Sequence, residues 1–104
     1  MLILVTPVIL FVVHFLFQKM MNVGLFRELG AWQLFVNTSN CGFCVKQVEF
    51  LGENAHKINI IHCDDKKNVR ECADLHELPL WKKGNRTLPG ARLSLYSLRQ
   101  LTRM

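Results

Sequence analysis

Two cysteines two residues apart, Cys41 and Cys44 in Asn40-Cys41-Gly42-Phe43-Cys44, are the residues of this chain best placed to do chemistry. An apolar run, Trp32-Gln33-Leu34-Phe35-Val36, precedes them, and a helical pattern, Val45-Lys46-Gln47-Val48-Glu49-Phe50-Leu51, follows. A strand that passes through Cys-x-x-Cys into a helix is the setting of a dithiol redox site. Cys41 falls where free backbone N–H groups and the positive end of the helix dipole favour a thiolate. Cys44 lies one turn further in, close enough to close a disulfide and less open to solvent. The pair therefore reads as nucleophile (Cys41) and resolving thiol (Cys44), because exchange proceeds by thiolate attack through a mixed disulfide.

Two more cysteines, Cys63 and Cys72, complete the set of four in a chain of 104 residues. An even number suits disulfides in an oxidising compartment, and a cytosolic redox or metal protein also uses such residues. Zinc is the rival use: Cys41, Cys44, Cys63 and Cys72, or His62 or His76 in their company, supply enough ligands for a tetrahedral site. The spacing lacks a second tight pair, so no metal is assigned, and His56, His62 and His76 read as surface or strand-end residues. The net charge of +5 raises nucleic acid or an acidic membrane surface as a partner. The Lys and Arg residues are spread from Lys19 to Arg103 without a long run, so they read as a solvated surface and no nucleic acid is expected.

The elements that must position the dithiol can be read in order. Trp32–Val36 is a buried strand, and Cys41 to about Asn54 a helix with Cys44, Val45, Val48 and Leu51 or Phe50 at helical spacing, capped by Asn40 or Ser39. Lys57–Cys63 is a second strand centred on Ile58, Ile60 and Ile61. Asp64-Asp65 turn into a helix over Asn68–Leu75, with Val69, Cys72 and Ala73 on one face. Leu78-Pro79-Leu80-Trp81 begins a third strand, and Gly84-Asn85 signals a hairpin to Arg86-Thr87-Leu88. Ser94 caps a last amphipathic helix carrying Leu95, Leu98 and Leu101. Trp32 and Trp81 pack the sheet. Asn37-Thr38-Ser39 and Asn85-Arg86-Thr87 match the glycosylation pattern by chance.

Residues 1–17 are almost wholly apolar, MLILVTPVILFVVHFLF. As a helix they span roughly 25 Å, the lower limit for crossing a bilayer. A cleaved signal peptide lacks its basic start and cleavage pattern here, and a core helix would show a polar face. Residues 1–18 are therefore expected to be a transmembrane anchor, 19–30 a connector ending at Gly30, and 31–104 the folded domain. Lys19 and Arg27 follow the apolar run and none precedes it, which biases the domain toward the cytoplasmic side.

The order strand, helix, strand, helix, strand, strand, helix around a Cys-x-x-Cys is that of a minimal thioredoxin-like fold, an α/β class. The segment from Trp32 to Leu101 resembles the thioredoxin-like domain fused to bacterial and plant vitamin K epoxide reductase homologues. The shared features are Cys41-Gly42-Phe43-Cys44, Cys63 at a strand end, Cys72 in the next helix, Leu78-Pro79-Leu80-Trp81, and Pro89-Gly90 followed by Ser94-Leu95 and Leu98. The resemblance implies a cis peptide at Pro79, opposite the dithiol, with Leu78 turned toward it to pair with an extended substrate. It implies that Cys63 and Cys72 are bonded as a structural bridge, with a second redox pair as the other reading and free thiols if the domain faces a reducing cytosol. Phe43 stands where thioredoxins usually have proline, and an exposed aromatic there would shape the substrate surface. The resemblance and the cysteine pairs favour an exoplasmic side, against the Lys19/Arg27 bias. The sequence departs from that family in lacking its four-helix reductase domain and in having Leu80 after Pro79 where Thr is usual.

Cys41-Gly42-Phe43-Cys44-Val45-Lys46-Gln47-Val48 also looks like the Cys-Gly-Phe-Ser helix of monothiol glutaredoxins, with Cys44 in place of serine. That family holds glutathione with a lysine before the motif, a Thr-Val-Pro segment and a Gly-Gly-x-Asp element. Here Asn37, Thr38, Ser39 and Asn40 precede the motif, Leu78 precedes the proline, and Gly90-Ala91-Arg92 replaces the double glycine. The expected function is thus a membrane-anchored thiol–disulfide oxidoreductase that acts on protein thiols or a partner redox protein. It needs no cofactor, since the dithiol carries the electrons. The alternatives are a glutaredoxin-like glutathione-dependent or iron–sulfur-binding protein, and a zinc-binding membrane adaptor.

Overall fold

The computed structural model describes the backbone of residues 2–103, and the side chains of those residues apart from 2–6, 18–19 and 21–23. It is a mixed α/β structure with one four-stranded sheet, compatible with the thioredoxin-like fold expected. The order is α1 (Leu2–Leu29), β1 (Gln33–Val36), α2 (Gly42–Leu51), β2 (Asn59–His62), α3 (Val69–Cys72), β3 (Leu80–Lys83), β4 (Arg86–Pro89) and α4 (Leu95–Thr102).

The strands lie in the order β2-β1-β3-β4. β1 pairs parallel with β2 and antiparallel with β3, so its Leu34 faces Ile60 on one side and Trp81 on the other. A parallel neighbour requires a crossover, and α2 supplies it. A central strand covered on both faces has no solvent side to keep polar, which is why Leu34-Phe35-Val36 is an unbroken apolar run. β3 and β4 form a two-residue hairpin with Lys83 opposite Arg86. Gly84 has φ +61° and, among the described residues, no non-glycine residue, Asn85 included, has a positive φ, the pattern of a type II′ turn with glycine first.

Side-chain alternation divides the core between the two faces of the sheet. The larger cluster joins Leu34, Val36 and Trp81 to Leu51, Leu98 and Leu101 from the helices. The smaller holds Phe35, Ile61 and Leu80, with Cys63, Cys72 and Leu75 packed on it. Leu78 touches both.

Three expectations are corrected here. Residues 19–30 are not a separate connector: α1 runs unbroken to Leu29, and Leu25, Phe26 and Leu29 are buried in the larger cluster. Their spacing puts them on one stripe of the helix, which packs against α4. The core therefore begins before residue 31. The second helix is one turn, not Asn68–Leu75; a 3₁₀ turn, Lys66–Asn68, precedes it, and Val69 and Ala73 are exposed. α2 ends at Leu51 rather than near Asn54, giving way to a 3₁₀ segment, Gly52–Lys57; of the two residues expected at its end, Leu51 faces the core and Phe50 does not.

Among the described residues, no helix is long and apolar enough to cross a membrane. Met1 and the side chains of residues 2–6 and 18 of the expected anchor lie outside the described residues. From Val8 to Phe17 every large apolar side chain of α1 is exposed.

The Cys63–Cys72 loop closes the smaller cluster, with a sequence separation of 9. Replacing both cysteines with serine should lower unfolding stability by about 2–3 kcal/mol, measured by denaturant titration against the oxidised protein. A change below about 0.5 kcal/mol would show that the bridge adds nothing to the fold.

Candidate active site

Cys41 and Cys44 are disulfide-bonded, with Cα atoms 5.2 Å apart. Cys41 is the residue just before α2 and is its N-cap: its Sγ accepts the backbone N–H of Cys44 at 3.1 Å. The sequence suggested Asn40 or Ser39 as that cap. Asn37 instead takes the N–H groups of Ser39 and Asn40 on its Oδ1, which folds the approach to the helix into a tight turn and leaves the cap to sulfur. A capping atom sits on the helix axis where free N–H groups converge, so negative charge on Cys41 Sγ is stabilised there. Cys41 is partly exposed and Cys44 fully buried. An attacking sulfur within reach of solvent and a second sulfur beneath it are the order that dithiol exchange needs.

The peptide between Leu78 and Pro79 is cis, as expected. The Leu78 carbonyl oxygen lies 3.4 Å from Cys41 Sγ, so the segment before β3 faces the dithiol directly. Pro79 is buried, and its carbonyl accepts the N–H of Gly90 at 2.9 Å. Gly90 has φ +102°, a conformation that favours glycine, and it turns the chain after β4 back toward the site. Phe43, Leu78, Pro79, Gly90, Ala91 and Leu93 together line an apolar groove of about 290 Å³ beside the disulfide. Phe43 is 62% exposed at its mouth, with the Lys46 ammonium 5.4 Å from its ring centroid.

Every residue expected at the site on sequence grounds is therefore in one place: Cys41, Cys44, Phe43, Leu78 and Pro79. The second pair, Cys63–Cys72, is also bonded, with Cα atoms 5.7 Å apart. It begins at the same end of the sheet, since β1 and β2 are parallel and the Cys63 N–H donates to the Val36 carbonyl. Ser39 Oγ donates to Asp64 Oδ2 at 2.8 Å and ties the loop before Cys41 to the loop after Cys63. Among the described residues, no group of three or more His, Cys, Asp or Glu side chains could hold a metal ion.

Sequence reasoning missed the far wall of the groove, residues 90–93, and the residue that holds it. Gln47 is the one buried polar side chain among the described residues. It lies one turn after Cys44 and bonds the backbone of Arg92 at both its N–H and its carbonyl. The signal in the sequence was a lone amide on the helix face that otherwise carries Cys44, Val48 and Leu51. Compared with known proteins, the chain matches no family model and no curated protein.

Proposed function

We propose that this chain is a thiol–disulfide oxidoreductase with Cys41 as nucleophile and Cys44 as resolving thiol. One observation carries the reading: Cys41 Sγ is the N-cap of α2, partly exposed, and faces the Leu78 carbonyl, while Cys44 is fully buried behind it. In the reducing direction the Cys41 thiolate attacks a substrate disulfide. An S–S bond forms to one substrate sulfur and the other leaves as a thiolate. Cys44, losing its proton, then attacks Cys41 Sγ, closes the intramolecular bond and releases the second substrate thiol. Two electrons pass from the dithiol to the substrate, and no further cofactor enters. The reverse sequence oxidises a substrate dithiol, and the partner's potential selects the direction.

The substrates are protein thiols and disulfides, or a partner redox protein. Phe43 and the Leu78–Pro79 segment are the surface they meet, and Cys63–Cys72 is a structural bridge. The resemblance to the thioredoxin-like domain fused to vitamin K epoxide reductase homologues, together with the sheet order and the cis proline, supports a thioredoxin-like fold. The chain is held at a membrane by its N-terminal segment. Support comes from Val8–Val13 and Phe15–Phe17, exposed at consecutive positions and hence on every side of α1, a surface that water does not favour.

Cys41→Ser should reduce exchange with a model disulfide to background, whereas Cys44→Ser should accumulate a substrate mixed disulfide at Cys41, read by intact mass. Retained activity in Cys41→Ser, or trapping at Cys44 instead, would overturn the assignment. Alkaline carbonate should leave the chain in the membrane pellet; its release into the supernatant would contradict the anchor.

A further inference from the structure

We propose that Gln47 is a positioning residue that sets the enzyme's preference for polypeptide disulfides flanked by apolar side chains. The proposal rests on the thiol–disulfide reading above and names its substrate class. Gln47 is fully buried, and both ends of its amide are used on a single residue 45 positions away. Its Nε2 donates to the Arg92 carbonyl at 2.9 Å, and its Oε1 accepts the Arg92 N–H. Arg92 lies between β4 and α4, where no strand or helix partner takes up its backbone. A buried amide is unfavourable unless bonded, and leucine of similar size would fill the same space without that demand. What glutamine adds is a fixed distance between the dithiol helix and the 90–93 segment.

That distance is the width of the groove. Phe43, Leu78 and Pro79 form the near side, Gly90, Ala91 and Leu93 the far side, and all six are uncharged. The start of the far wall is tied to the near one by Gly90 N–H donating to the Pro79 carbonyl, and its middle is tied to α2 by Gln47. An apolar side chain beside a substrate cystine can enter this groove while the cystine sulfur meets Cys41 Sγ. A small disulfide reaches Cys41 without using the groove. Gln47 therefore acts on substrate binding through the wall and leaves the sulfur chemistry to the cysteines.

The test compares the full-length protein with its Gln47→Leu variant on three probes: a disulfide-bridged peptide with leucine beside the cysteine, the same peptide with aspartate there, and hydroxyethyl disulfide. Gln47→Leu should raise KM for the leucine peptide about tenfold with kcat within about twofold, the size expected for losing a hydrogen-bonded tether. It should also narrow the leucine-over-aspartate preference and speed amide hydrogen exchange at Arg92. The rate with hydroxyethyl disulfide should change less than about threefold. Leu93→Ala, an exposed-wall change that leaves the helix contacts intact, should raise KM for the leucine peptide in the same direction and serves if Gln47→Leu does not fold. Equal losses on all three probes, or an unchanged preference, would overturn the proposal while leaving the oxidoreductase intact. No exchange by the unmodified protein on any probe would overturn both.

Discussion

The N-terminus of α2 must satisfy backbone N–H groups that no carbonyl of the helix can reach, and the atom that meets them is a sulfur. Serine or aspartate at that position would cap the helix as well. With cysteine as the cap, the field that favours a hydrogen-bond acceptor there would also favour a thiolate once the disulfide is reduced. Everything else about the site depends on where that first turn points. Asn37 folds the loop that delivers Cys41, Ser39 ties the loop to Asp64, and the Leu78 carbonyl approaches Cys41 Sγ from the opposite side.

The sheet explains how so small a chain holds two such segments in place. β1 ends at Val36 and leads into the dithiol, and β3 begins at Leu80, just after the cis proline; the two strands are antiparallel neighbours. The end of one and the start of the other therefore meet at one edge. Leu78 packs on both core clusters at that edge, so neither face can loosen without disturbing the carbonyl beside Cys41. The larger cluster is held by α1, α2 and α4 and the smaller one by little more than a single helical turn. A cross-link is most useful where packing is thinnest, and Cys63–Cys72 lies there.

Much of this was legible in the sequence because local rules acted alone. Ser94 caps α4 with Ser97 in a reciprocal pair, Gly84-Asn85 makes the hairpin turn, and the β-branched and aromatic runs are strands. The cysteine spacing marked the candidate site, and the resemblance to a thioredoxin-like domain set Pro79 opposite the dithiol, where the Leu78 carbonyl does approach Cys41 Sγ. What was not legible depended on contacts distant in sequence. Leu25, Phe26 and Leu29 make too short a stripe, between Arg27 and Glu28 and the apolar run before them, to mark residues 19–30 as core. Val69 had the right spacing for a buried helix face, yet only one turn forms there. Gln47 shows in the sequence only as a lone amide on an apolar helix face; its partner is the backbone of Arg92, and a backbone atom leaves no trace in residue type.

The central claim is that Cys41 and Cys44 cycle as one two-electron couple. Its most direct test is a redox titration of the full-length protein in dithiothreitol or glutathione buffers. Thiols are trapped at each potential, and the Cys41–Cys44 peptide is quantified by mass. The account predicts a single reversible transition with a slope of about 30 mV per tenfold change in ratio, while Cys63–Cys72 stays oxidised to more reducing potentials. A Cys41–Cys44 pair that remains oxidised throughout, or that titrates as two separate thiols, would contradict it.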